Sequence, residues 1–128
     1  MKISIGAAGA AIRMFFRTIV AVVAIAVGLW MVTGFVLRIY DGQTKREVVN
    51  LVESELNLES DRNAMATFMQ KHTARYGVDD DREFAYIGFM GQDEIDKIIF
   101  RQVSIELKFD PVTNKYLSCR VVFYYTFL

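Results

Sequence analysis

The sequence predicts an α+β protein. A single N-terminal transmembrane helix precedes a small domain of two helices and a three-stranded antiparallel sheet, in the order ααβββ. Three observations carry this. Residues 18–37 form a run of twenty residues without a charge. Apolar residues then recur at helical spacing through two segments, and from residue 99 they alternate with polar ones at the strand period. Composition narrows the class further. A chain 53% hydrophobic with one Pro is too apolar for disorder. Its one Cys excludes an intrachain disulfide scaffold and a Cys-based zinc site, and its one His excludes a His-cluster metal centre.

The charge-free run reads TIVAVVAIAVGLWMVTGFVL. As a helix it spans roughly 30 Å, the hydrocarbon thickness of a bilayer. Arg17 and Arg38 bracket it and can snorkel to the two interfaces, and Tyr40 can sit at the far one. The chain thus divides into a short tail, 1–17, an anchor, 18–38, and a soluble domain, 41–128. Two other readings compete. Ala24-Ile25-Ala26 has the small-x-small pattern of a signal-peptide cleavage site, but the apolar run continues eleven residues past Ala26. A buried core helix would need a larger domain to enclose it. Residues 3–16, apolar and Arg-flanked, prolong the helix or lie in the interface. Within the anchor, Ala21, Ala24 and Gly28 form a stripe of small residues on which a second helix, including another copy, can approach closely. Ala and Gly are also simply common in such helices, and the stripe is short.

Charge is uneven. Residues 1–40 hold Lys2, Arg13, Arg17 and Arg38 and no acid; residues 41–128 hold the other eleven Lys/Arg and all fifteen Asp/Glu. The domain is therefore acidic. It shows no basic stripe with interleaved aromatics, so nothing supports nucleic-acid binding. Lys/Arg counts flanking the run are balanced and leave orientation open. A short basic tail before a single anchor favours a cytoplasmic N-terminus and an exported domain: the bacterial inner membrane with a periplasmic domain. A basic, acid-free leader also suits the mitochondrial inner membrane.

In the soluble part, Asp41-Gly42-Gln43 reads as a turn, and Thr44-Lys45-Arg46-Glu47 as a capping box opening a helix over 45–57. A second helix starts at Ser60-Asp61. Met65, Phe68, Met69, His72 and Tyr76 share one face, and Gly77 is the expected stop. Asp79-Asp80-Asp81 is a loop, residues 83–90 an aromatic strand, and residues 91–96 a polar connection. Residues 99–109 form a half-buried strand with Ile99, Arg101, Val103, Ile105, Leu107 and Phe109 inward. A turn over 110–115 leads to a last strand, 116–128, with Leu117, Cys119, Val121, Phe123, Tyr125 and Phe127 facing the core. Both helices should pack on the sheet's apolar face. The last strand carries apolar residues on its other face too. Tyr116, Val122 and Tyr124 there are the candidate partner-binding residues, against the plain β-propensity of Tyr and Val.

No catalytic constellation emerges. His72 lies among apolar helix residues, where a satisfied structural histidine is the ordinary reading, and no Ser-His-Asp or Cys-His pair can be built. Cys119 occupies a core-facing position, where a free thiol acts as a small hydrophobe. The triple Asp lacks the alternating ligands of a calcium loop, and Gly88-Phe89-Met90-Gly91 is not a phosphate loop. No cofactor or metal is expected.

Leu58-Glu59-Ser60-Asp61-Arg62 leading into Met65-x-x-Phe68-Met69 resembles the entry to the second helix of small envelope domains of the BamE/SmpA kind and the related β-lactamase-inhibitor-protein fold. Val103-x-Ile105-x-Leu107-x-Phe109-Asp110, then Lys115-Tyr116-Leu117, is similar to their final hairpin. The chain departs from that family in lacking a lipidated Cys and a Gly-rich helix entry. The resemblance implies a binding or scaffolding domain rather than a catalyst. The expectation is a single-pass accessory subunit that binds another membrane or envelope protein. The alternative is an anchored immunity or inhibitor protein, whose acidic domain suits a basic toxin or enzyme.

Overall fold

The computed structural model describes residues 5–126. The element order is α1 (Ile5–Glu55), α2 (Arg62–His72), β1 (Arg75–Val78), β2 (Tyr86–Phe89), α3 (Glu94–Ile98), β3 (Arg101–Phe109) and β4 (Tyr116–Tyr125). The class is α+β, as the sequence predicts, but the sheet has four strands rather than three. They are antiparallel neighbours in the order β1-β2-β3-β4. Two compact units divide the chain, Met1–Tyr40 and Asp41–Leu128.

The first unit is helical throughout its described residues, so the expected tail joins the apolar run without a break. The helix is long and apolar enough to cross a membrane. Twelve large apolar side chains between residues 18 and 37 are exposed, Trp30 at 77%. The two hydroxyls in the run are satisfied locally. Thr18 donates to the Met14 carbonyl at 2.9 Å and Thr33 to the Leu29 carbonyl at 2.7 Å.

α1 does not stop at residue 40. The turn expected at Asp41-Gly42-Gln43 and the capping box at Thr44 are absent, and the expected 45–57 helix is the C-terminal part of α1. One Gly between two helix-forming segments costs only about 1 kcal/mol, less than breaking and renucleating the helix. α2 begins as expected: Asp61 is its N-cap and accepts from the Ala64 amide at 2.9 Å. It ends sooner than expected. Thr73 caps it in an extended conformation, and Tyr76 and Gly77 belong to β1, where Gly77 pairs with Ile87. No glycine among the described residues has a positive φ, so Gly77 is not a helix stop.

The core of the second unit lies between one face of the sheet and two helices. Val48 and Val52 of α1, Leu56 just after it, and Met65, Phe68 and Met69 of α2 pack with Tyr86, Val103, Ile105, Leu107 and Val121. Gly88 on β2 is where α2 approaches most closely: a Cβ there would lie 2.6 Å from Thr73 Cγ2 and 2.7 Å from Met69 Cε. The inward phase of β3 is as the alternation predicts. That of β4 is correct from Cys119 onward and reversed before it. A bulge sets Phe109 opposite Tyr116 and Lys108 opposite Ser118. The extra residue moves Tyr116 into the core, 7% exposed, and turns Leu117 out. Phe127 lies outside the described residues.

Candidate functional site

Two places in the second unit gather polar and aromatic side chains in a manner that bears on function. The first surrounds Arg101. The strand period points this arginine inward at the start of β3, and its side chain is 1% exposed. A buried guanidinium requires partners. Nε donates to Asp96 Oδ1 at 2.7 Å, Nη1 to Asp41 Oδ1 at 2.7 Å, and Nη2 to the Thr44 hydroxyl at 3.2 Å. The Tyr125 hydroxyl donates to the other Asp41 oxygen at 2.5 Å, and the Phe123 ring lies 5.2 Å from the guanidinium. Asp96 is placed by the capping box it forms with Asp93 at the start of α3, a helix the sequence reading treats as a polar connection.

Burial works against the Arg101 charge, but the bonds to Asp41 and Asp96 outweigh it and hold its pKa above the ordinary value. Burial, then the bond to Asp41, pushes the Tyr125 hydroxyl up to about 12. The cluster ties the α1 segment at Asp41 and Thr44 to the first turn of β3 and to the end of β4. Its groups pair with one another, which makes it a clasp. Sequence reasoning missed Asp41, Thr44, Asp96 and Tyr125 as a set. The one available signal was a charged residue in the inward phase of a strand.

The second place is the sheet face turned away from the helices. Phe89, Ser104 and Val122 stand in one row across β2, β3 and β4, with Tyr124 beside them. The Phe89 and Tyr124 rings lie 6.2 Å apart, and the Arg75 guanidinium covers Phe89 at 4.9 Å. Glu106 pairs with Arg120, which also lies over Phe84 at 4.3 Å. These long side chains bury the small centre of the face: Ser104 and Glu106 are both inaccessible, although the alternation placed them outward. The Ser104 hydroxyl has no hydrogen-bond partner among the described residues.

Of the three partner-binding candidates, the structure brings Val122 and Tyr124 together on this face. Tyr124 is 45% exposed and Val122 half-buried. Tyr116 is corrected: the bulge places it on the opposite face, in the core, where burial and a bond with Cys119 raise its pKa. Ala21, Ala24 and Gly28 are exposed in the first unit, and a Cβ on Gly28 would meet nothing within 4 Å.

His72 is half-buried, its ring tilted against Phe68 with centroids 4.7 Å apart, and its Nε2 lies 2.8 Å from Glu55, which also accepts from Lys71 at 3.0 Å. The Lys71 and His72 bonds hold the Glu55 carboxyl below its ordinary value. This is a clasp between α1 and α2. No group of three or more His, Cys, Asp or Glu suited to a metal occurs among the described residues. No known protein family, characterised protein or solved structure matches the chain.

Proposed function

We propose that the chain is a single-pass membrane protein whose C-terminal domain is a non-catalytic binding module, an accessory subunit of a complex in the bacterial envelope. The observation that carries this is the uncovered helix. Between residues 18 and 37, twelve large apolar side chains are exposed. Removing each from water is worth about 1.5 kcal/mol or more, on the order of 20 kcal/mol together. A bilayer supplies that burial along the whole helix, and the helical backbone brings its own hydrogen bonds into it. The short basic tail favours a cytoplasmic N-terminus, which places the domain in the periplasm.

For the domain, the partner surface is the sheet face carrying Tyr124, Val122 and Phe89. An exposed tyrosine beside Phe89 and Val122, flanked by Arg75 and Arg120, has the composition of a protein-contact patch. The likeness to BamE/SmpA-like domains supports the same reading, although the chain adds a strand and the short α3 to their ααβββ order.

The test is photo-crosslinking in native membranes from a reactive residue at Tyr124, with Val112 as a control site. One discrete adduct from Tyr124, weakened by Val122→Asp and absent from Val112, is the expected result. A basic secreted toxin or enzyme in that adduct moves the reading to the immunity or inhibitor alternative. No adduct above the control removes the sheet face as the binding surface.

A further inference from the structure

The corner between α3 and β3 is apolar where a soluble domain would be polar. Ile98 is 73% exposed, Phe100 54% and Ile95 51%, and all three lie within six residues of one another. Phe100 also has φ 55, a left-handed backbone that is costly for a bulky side chain. The other non-glycine residue with positive φ among the described residues is Asn114, a type that tolerates it in the β3–β4 turn. At residue 100 a glycine or asparagine would make the same turn at lower cost. The Phe100 carbonyl is held by the Thr126 amide at 2.9 Å, so the turn is fixed and the ring stays outside the core.

The place of this corner in the chain says what covers it. Arg101, the next residue, is bonded to Asp41 and Thr44. Only three peptide units separate Asp41 from Arg38, which directly follows the apolar run, at most about 10 Å of chain. The Arg101 clasp therefore ties the corner to a segment that begins three residues after Arg38 in the chain. We propose that Ile95, Ile98 and Phe100 insert into the bilayer interface, as a second, shallow membrane contact beside the anchor. This rests on the membrane reading above. Lys97, between the two isoleucines, can reach lipid phosphates, while Asp93 and Glu94 on the same segment disfavour anionic lipid. The contact is thus apolar in origin and holds on a zwitterionic surface.

The experiment uses the full chain in phosphatidylcholine vesicles and lipids brominated either near the glycerol end or near the chain terminus. Trp30, the sole tryptophan, reports the span in the wild type. Trp30→Phe/Phe100→Trp and Trp30→Phe/Ile98→Trp report the corner. Trp30→Phe/Val112→Trp, at the far end of β3, is the control. The expected result is deep quenching of Trp30, shallow quenching of the two corner reporters by on the order of twofold, and none of the control. Corner reporters that emit as in water and resist both lipids, beside a quenched Trp30, overturn the inference and leave the span intact. Blue-shifted but unquenched corner reporters overturn it in favour of a protein contact, a second copy included. An unquenched Trp30 removes the span and this inference together.

Discussion

Removing Asp96 and Arg101 together should cost less than the two single removals added. Asp96→Ala removes one carboxylate from the Arg101 guanidinium, 1% exposed, and keeps the pair with Asp41, itself 22% exposed. An uncompensated buried charge costs about 3–5 kcal/mol, and the surviving Asp41 pair sets the expected loss near the lower end, about 3 kcal/mol. Part of that belongs to the bond from the Asp93 amide to Asp96 Oδ2, the half of the capping box that leaves with the same side chain. Arg101→Met leaves Asp41 and Asp96 without their shared cation and should also destabilise. In Asp96→Ala/Arg101→Met the buried guanidinium and the buried Asp96 carboxylate are both gone, an apolar side chain fills the space, and the Asp41 carboxylate, 22% exposed, keeps the Tyr125 hydroxyl as a donor. The double variant should therefore be more stable than the sum of the singles implies, by about 2 kcal/mol. Hydrogen exchange of the β3 amides from Val103 to Leu107, in the full chain in detergent, reads the opening free energy. Single-variant losses that simply add, or an Asp96→Ala loss under about 1 kcal/mol, would refute the clasp as described.

Three further expectations follow from the same geometry. Gly88→Val drives side-chain atoms into Thr73 and Met69, and thermal denaturation should show a loss of about 1–3 kcal/mol. Phe100→Gly relieves a left-handed aromatic residue and should leave the domain as stable or more stable, by about 1 kcal/mol, in the same hydrogen-exchange assay. Tyr125 has a folded pKa raised from 10.0 to about 12, so its contribution is complete below pH 10 and is lost as pH rises toward 12. Tyr125→Phe should therefore show a shallower alkaline fall in stability than the wild type across that window.

What the sequence makes legible is what local pattern decides. The apolar run, the Asp61 cap, the Met65-Phe68-Met69 face and the alternation of β3 each follow from neighbours within a few residues, and each stands in the structure. What stays hidden depends on distant partners. β1 is four residues long and exists through its pairing with β2, so Tyr76 and Gly77 carry no strand signal of their own. Asp41 and Thr44 look like a turn and a cap because the carboxylate and hydroxyl can do either; Arg101, about sixty residues on, recruits both while the helix runs through them. The bulge at Leu117 arises from how the 110–115 turn meets the strand, and it reverses the facing of Tyr116 without altering the apolar pattern. Of the partner-binding candidates, Val122 and Tyr124 lie beyond the bulge and keep the expected side.

The membrane reading requires that residues 18–37 span a bilayer and stay attached to the domain. Alkaline carbonate extraction of native membranes, followed by intact mass of the chain, tests this most directly. Anchoring predicts that the chain remains with the carbonate-washed bilayer and retains residues 1–26. A chain released into the supernatant, or one that begins after Ala26, would contradict it.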